Sequence, residues 1–381
     1  MPTVVLHLDF HLPLRLRKFG FFDIGRSRDY FDGEECRAAL ERFAAGFALP
    51  ATARMLRLIG RHRGRFRVSL SVSGMLLEQL EEGQKPLLES FRRLAGTGCA
   101  EFVCGVSHHS FASFFSEAEF RRQIALHRRV IRARFGQVPR AFRNTAGICD
   151  EGVARVARSM GFRVILAGLA DRLPDPGAGT LCRHMDSGRM TALIRHDPLS
   201  DGIAGLDAAA FAKRMLDGVD GDEIIVLTRD CGRFGGDEPD GAAMLRFLET
   251  VPALLLKRRN WSFLTPSEAA ARCRPGPAGL PLCPGHGGEA LPGNPLQRDA
   301  AHTLYSMEGR VRQAKSRRLL DTWRKLQASD YMDHMCTKGL SEGAQGRTPN
   351  PFASPYDAYI HYMNILKDFS RRIEGKSEVR P

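Results

Sequence analysis

Histidines, an arginine and an aspartate stand where apolar runs of this chain end and loops begin. They are His11, His108 and His109, Arg143 beside Asn144, and Asp230. A carboxyl group such as that of Asp230 can give or take a proton, while imidazole and guanidinium groups bind hydroxyls and oxyanions. These groups end four separate runs, so they converge only if the runs lie side by side with one polarity. Val5, His7, Asp9 and His11 also share one face of the first run by two-residue alternation, which carries Asp9 toward the same end.

The elements that must position them follow from the pattern. Short apolar or β-branched runs occupy Val4–Phe10, Phe66–Ser73, Ala100–Val106, Ala141–Thr145, Phe162–Gly168, Thr191–His196 and Glu223–Asp230. Helical periodicity separates most of them, over Glu34–Phe47, Leu76–Ala95, Glu117–Phe135, Glu151–Met160, Asp207–Leu216 and Gly241–Leu256. Alternating strands and helices predict an α/β fold with a parallel sheet, and seven such units predict a seven-stranded (β/α) barrel, an incomplete TIM-like one. Functional groups of such barrels collect at the C-terminal strand ends, where the polar residues above lie. Pro174–Thr180 reads as a loop, and Ser116 with Glu119 and Thr265 with Glu268 read as capping boxes. The barrel is expected over residues 1–272 and a Pro/Gly-rich linker or lid over 273–295. A helical C-terminal domain over 296–381 follows, with helices Leu296–Ala314, Arg317–Lys338 and Pro355–Ile373. Trp323 and Asp330, seven apart, are expected on one helix face.

Composition narrows the class. The chain has 381 residues, 43% hydrophobic and 26% charged, which excludes a disordered polymer. No stretch is apolar enough to span a bilayer, and Met1–Phe10, with His7 and Asp9, is no signal peptide, so a cytoplasmic protein is expected. The net charge of +13 raises the question of a nucleic-acid partner. Arginines spread along helical segments without any nucleic-acid motif favour solvated faces instead. Nine cysteines without CxxC spacing predict reduced thiols, inert at Cys149 and Cys231, and no cofactor is expected.

Several stretches together resemble glycoside hydrolase family 57 in its α-amylase-type branch. His11–Leu16 (HLPLRL) is close to that branch's HQPYRL, and Phe21–Gly25 (FFDIG) and Phe142–Thr145 (FRNT) follow. Phe234-Gly235, Leu326–Asp330 (LQASD), Met335–Lys338 (MCTK) and Ser354–Tyr359 (SPYDAY) continue the match in order to the C-terminal region. The resemblance implies the barrel, the helical domain and retaining chemistry on α-glucans. Its nucleophilic Glu would fall at Ala146, whose methyl group cannot attack a sugar, and its general acid/base at Asp230. The DYETFGEH pattern has become Asp230–Asp237 (DCGRFGGD), AETYYHS has become Cys104–Ser110 (CGVSHHS) with Gly105 for a carboxylate, and a tryptophan before the linker's GN has become Leu291. The loop between His196 and Asp207 is shortened.

Retention needs two carboxyl groups about 5–5.5 Å apart. Losing a covalent nucleophile removes on the order of 10⁶ in rate. The expected protein therefore recognises α-glucan or maltooligosaccharide with weak or no hydrolysis, using His11, His109, Arg143, Trp323 and Asp330 as sugar contacts, and could serve a protein partner in glycogen metabolism. One alternative is an active hydrolase or transglycosylase with a substitute carboxylate, Asp9 foremost, then Asp150 or Glu151. Another is a metal-dependent enzyme, since His7-Leu8-Asp9 is similar to the H-x-D of zinc-dependent glycoside hydrolase family 38 and lies near His11 and His109 in the pattern. The plain alternatives are that Asp9 is a buried, hydrogen-bonded residue and that Asp150 caps the helix at Glu151.

Overall fold

The computed structural model describes residues 1–168, 182–185, 190–205, 207–219, 223–232, 234, 239–273, 293–337 and 350–377. It divides into two compact units, each built from several chain segments. The first is Met1–Leu12, Ala39–Ser107 and Arg121–Gly285; the second is Pro13–Ala38, His108–Phe120 and His286–Pro381. The division therefore follows no single cut near residue 272, and two front-half segments belong with the C-terminal helices. Residues 274–292 of the expected linker, Leu291 among them, and Lys338 lie outside the described residues.

Nine strands are described in the first unit. They are β1 (Thr3–Phe10), β2 (Val68–Val72), β3 (Ala100–Phe102), β4 (Ala141–Arg143), β5 (Val164–Ala167), β6 (Cys182–Met185), β7 (Met190–Ile194), β8 (Ile224–Asp230) and β9 (Ser262–Phe263). One sheet runs β3-β2-β1-β8, with β9 also paired to β1, all parallel. The other runs β4-β5-β7-β6, parallel except for β6. Single parallel bridges, Cys104 to Phe142 and Arg195 to Val226, link strand ends of the two. The α/β fold with parallel strands is as expected, and the described strands, nine rather than seven, pair as a five-stranded and a four-stranded sheet. The added ones are β9, two residues long, and the antiparallel β6, which lies just past the segment read as a loop.

β1 is buried along all eight residues, as a parallel strand covered on both faces must be. Its even face carries Phe10 into a cluster with Phe43, Phe47 and Phe91 on the flanking helices. The odd face looks the other way. There Val5 joins Val103, Ala141, Val164, Leu166, Leu193, Ile224 and Val226, drawn from both sheets, in one apolar core. At roughly 25 cal/mol per Å² of apolar area, such burial dominates the stability of the unit. His7 and Asp9 follow Val5 on the same face, so the interior turns from apolar to polar toward the C-terminal strand ends.

Among the described residues six cysteines are free thiols, five of them buried. Cys273 is disulfide-bonded, which corrects the expectation of reduced thiols throughout. No described helix is long and apolar enough to cross a membrane.

The second unit is helical: Pro295–Ser306, Glu308–Gln313, Arg317–Lys325, Ser329–Asp333 and Pro355–Ser377. The expected helix Arg317–Lys338 is broken before Ser329, and Tyr362 Oη satisfies the Leu326 carbonyl there at 2.7 Å. Asp368 on the last helix ties down the front-half segment. It accepts from Gly25 N at 2.6 Å and from Tyr30 Oη at 2.5 Å, and is ion-paired with Arg372. Ser116 caps the helix Glu117–Phe135 as expected, its Oγ accepting from Glu119 N at 3.1 Å. The Glu119 carboxylate, fully buried, pairs with Arg312 at 2.6 Å and Arg324 at 2.7 Å. Glu119→Gln leaves Arg324 short of a counter-charge while Arg312 keeps Glu308, and should lower unfolding free energy by about 3 kcal/mol, read as a drop in the urea midpoint.

Candidate functional site

The parallel register sets a row of serines on β2 beside the polar row of β1. His7 is aligned with Ser69 and Asp9 with Ser71. His7 Nδ1 lies 3.1 Å from Ser69 Oγ and its Nε2 3.2 Å from Ser71 Oγ. Ser71 Oγ donates to Asp9 Oδ1 at 2.6 Å, and His11 Nδ1 lies 2.8 Å from Ser73 Oγ. With its proton committed to Asp9, Ser71 Oγ accepts from His7 Nε2–H, and Ser69 Oγ can donate to the Nδ1 that this tautomer leaves as an acceptor. Burial foremost, then the charge of Arg143, lowers the His7 pKa to about 3, with Asp9 pulling the other way. His7 is therefore neutral, with both ring nitrogens engaged by hydroxyls.

Arg143, at the end of β4, forms an ion pair with Asp9, each side chain being almost buried. Arg143, expected as a sugar contact, is thus already paired within the chain. A guanidinium against the carboxylate also opposes a cation at the His7-x-Asp9 pair, since like charge would meet like. Asp9 is in the buried, hydrogen-bonded condition that formed the plain reading of it. Asp150 likewise caps its helix, accepting from Val153 N at 2.7 Å.

The chain then turns through Thr145–Gly147. Ala146 sits at its apex, exposed, with φ 56° and ψ 13°. A left-handed alanine costs about 1–2 kcal/mol, so the surrounding structure must hold it there. Gly147, at φ 72°, passes so close to the next strand that its carbonyl accepts from Gly168 N at 2.8 Å. A β-carbon on Gly147 would lie 3.1 Å from that nitrogen and 3.7 Å from Arg143 Nη2. The guanidinium that holds Asp9 thus also borders the turn that presents Ala146.

Asp230 ends β8, exposed, and is aligned with Asp9 on β1. Its Oδ1 accepts from Gly232 N at 2.9 Å. A β-carbon on Gly232 would stand 2.1 Å from the His11 carbonyl oxygen, so only glycine fits where the family pattern has a glutamate. Burial first, then the charges of Asp230 and Asp9, raises the neighbouring Cys231 thiol well above its ordinary range, which makes it unreactive. Residues 233 and 235–238 lie outside the described residues.

Sequence reasoning missed two supports, Ser71 and His127. His127 is fully buried; Gly105 N donates to its Nδ1 at 2.8 Å, and its Nε2 lies 2.8 Å from Val72 O. A β-carbon at Gly105 would come within 3.2 Å of Arg143 O, so that position too is packed around glycine. The alternating serines of Ser69–Ser73 were the visible signal for Ser71; nothing in the helical pattern singled out His127.

The second unit holds the other expected contacts. His109, at φ 52°, places Nδ1 3.0 Å from Ser329 Oγ and 3.8 Å from the Asp330 carboxylate. Trp323 is fully buried, and its Nε1 donates to Leu304 O at 2.9 Å. This corrects its expected role, because an indole sealed in a helical core has no face to offer a sugar. Trp323 and Asp330 also stand on separate helices rather than one face, since the helix breaks between them.

Comparison with known proteins adds the ancestry. The family model for glycosyl hydrolase family 57 matches residues 5–278. The Methanocaldococcus jannaschii protein named "Putative alpha-amylase" is 26% identical over 423 residues, covering 98% of this chain and 86% of that one. Among solved structures, the GH57-type branching enzyme of Pyrococcus horikoshii has a TM-score of 0.68 at 15% identity, covering 99% of this chain and 91% of its own. The 4-alpha-glucanotransferase of Thermococcus litoralis has a TM-score of 0.66 at 14% identity. The match takes in 87% of this chain but 55% of that enzyme. At such identities the structures speak for the fold alone.

Two outcomes test this geometry. Ala146→Gly removes the left-handed penalty and adds only glycine's chain entropy, so it should leave stability unchanged or raise it by up to about 1 kcal/mol. A loss on chemical denaturation would contradict the assigned turn. Between pH 6.5 and about 3 the unfolded chain binds a proton at His7 that the folded chain does not. Stability contributed by neutral His7 is complete above pH 6.5 and falls with acidification, by up to about 1.4 kcal/mol per unit. His7→Asn should flatten that slope in urea midpoints compared between pH 7 and pH 5.

Proposed function

This chain belongs to glycosyl hydrolase family 57, and on that footing we propose that it recognises α-glucans while hydrolysing them weakly or not at all. The observation carrying the proposal is the turn at Ala146. An exposed residue is held in a costly backbone conformation, directly after the FRNT strand end, and offers only a methyl group. The names of similar proteins, an alpha-amylase, a branching enzyme and a glucanotransferase, support an α-glucan as the ligand.

In this reading Asp230 inherits the general acid/base role, and its exposed carboxyl at a strand end suits it. Without a nucleophile opposite, protonation of a leaving oxygen is not followed by capture of the glycosyl cation. Binding depends on hydrogen bonds spread over several groups and suffers less than turnover. His11 is the proposed hydroxyl contact of the first unit, and the His109–Asp330 pair that of the second. We further propose that β1, β2, β3, β4, β5, β7 and β8 act as a seven-strand ring, a reading supported by the two bridges between sheets. Cytoplasmic work is part of the proposal, supported by six free thiols and opposed by the disulfide at Cys273. A partner in glycogen metabolism would give a non-hydrolysing binder its use.

A second reading rests on the alignment of Asp9 with Asp230 on neighbouring strands, about 4.8 Å apart at the backbone. Aligned residues of parallel strands project to the same face, so both carboxyls stand on one side of the sheet, as the two acids of a retaining enzyme must. Asp9 would then replace the missing nucleophile, in hydrolysis or transglycosylation, at the expense of its bond to Arg143.

Calorimetry with maltooligosaccharides, run beside a reducing-sugar assay, separates the readings. The first expects heat of binding without product, and Ala146→Glu should restore part of the roughly 10⁶ in rate that loss of a nucleophile removes. The second expects turnover by the unaltered protein that vanishes in Asp9→Asn with the fold intact by circular dichroism. Absence of any glucan binding would sink both.

A further inference from the structure

Away from these residues, the first unit has a cavity of about 430 Å³ that the glucan reading does not use. Among the described residues it is lined by Arg54, Arg57, Leu58 and Arg61 from the helix Leu49–Arg61, and by Leu248 and Glu249 from the helix Pro239–Leu255. Its size falls within the roughly 300–1,000 Å³ of ordinary small-molecule sites. The chemistry of its wall is one-sided. Positions 54, 57, 58 and 61 fall on one helix face, so three guanidinium groups are brought to the same side.

Only one of them is neutralised. Arg54 Nε donates to Glu249 Oε1 at 2.7 Å, and its Nη1 to Pro50 O at 3.2 Å. Arg57 and Arg61 have neither an ion-pair nor a hydrogen-bond partner among the described residues. One turn apart, they repel each other, an arrangement that a helix tolerates at some loss of stability unless an anion lies between them. The excess charge is felt locally: next to it, burial first and then Arg61 and Arg65 hold the His62 pKa below its ordinary value. A merely solvated charge run would not border a cavity floored by leucines.

We propose that this cavity binds a small organic phosphate. Arg57 and Arg61 would take the phosphate oxygens, since planar guanidinium forks match that geometry in bidentate fashion. Arg54, fixed by Glu249, would border the phosphate, and the small exposed edge of Leu58, backed by the buried Leu248, would touch the organic part. Leu58 is nearly buried and Leu248 fully so, which gives the site a rigid apolar floor. Two uncompensated positive charges match the dianion of a phosphate monoester near neutral pH.

The test is calorimetric titration of the full chain, at low ionic strength, with inorganic phosphate, glycerol 3-phosphate, glucose 1-phosphate and adenosine monophosphate. At least one ester should bind about tenfold tighter than inorganic phosphate, and Arg57→Gln with Arg61→Gln should weaken it by about tenfold or more. Arg129→Gln, an exposed arginine elsewhere in the unit, should leave it unchanged. Both substitutions are at exposed positions, and melting curves check that the fold survives them. Inorganic phosphate binding as tightly as every ester would overturn the organic ligand. No binding, or equal binding by the double variant, would overturn the site. A single-stranded oligonucleotide whose binding is lost in the same variant, while the esters give no heat, would replace the small molecule by nucleic acid.

Discussion

The Asp9–Arg143 ion pair carries the architecture of the polar end of the first unit. A carboxylate in a sheet interior loses its hydration and must recover that loss from a counter-charge and hydrogen bonds. Asp9 finds Ser71 one strand away in its own sheet and Arg143 at the end of a strand in the other. The pair therefore joins the two sheets where the apolar core stops. Because Arg143 immediately precedes the segment 144–147, the same guanidinium borders the turn that exposes Ala146. The positions of the vacant residue and of the buried acid are set together.

The row of His7, Asp9 and His11 imposes a matching constraint on β2. A one-residue slip would set Leu70 and Val72 against these side chains and turn the serines to the helix side. Parallel pairing thus has one acceptable register here, enforced by polar satisfaction as much as by apolar fit. Glycine is required around it for the complementary reason. At Gly105, Gly147 and Gly232 the backbone approaches another main-chain atom too closely for a β-carbon to fit without displacement. Two of these are sites where the family pattern has a carboxylate, so restoring those groups would require the backbone to move as well.

Much of this was legible in the residues. The runs containing β1, β2, β3, β4, β5, β7 and β8 stand out because strands buried on both faces are apolar almost throughout. β6 and β9 did not stand out: four and two residues are too short to show a period. The caps at Thr265 and Asp150 could be read because they are local chemistry. Ala146 and Asp230 emerged from motifs in order along the chain. The Asp9–Arg143 pair did not, since its partners are far apart in sequence and no local pattern links them. Trp323 misled because an aromatic ring suits a sugar or a core equally well, and only burial decides. The helix Gly241–Leu256 was legible, but the arginine-bearing helix Leu49–Arg61 that faces it was not.

The place of β1 in its sheet has a consequence for how the chain is made. This strand leaves the ribosome before every other described strand, yet its partners β8 and β9 lie roughly 220 and 260 residues downstream. At about 5–20 residues per second, tens of seconds pass before β8 is available. Through that interval the nascent chain holds a β-branched segment with one edge unfilled, a standing invitation to chaperones or to pairing with another copy. His7 and Asp9 interrupt its apolar run, and a charge inside such a segment discourages aggregation. The same side chains that furnish the mature interior thus also serve the unfinished chain as gatekeepers.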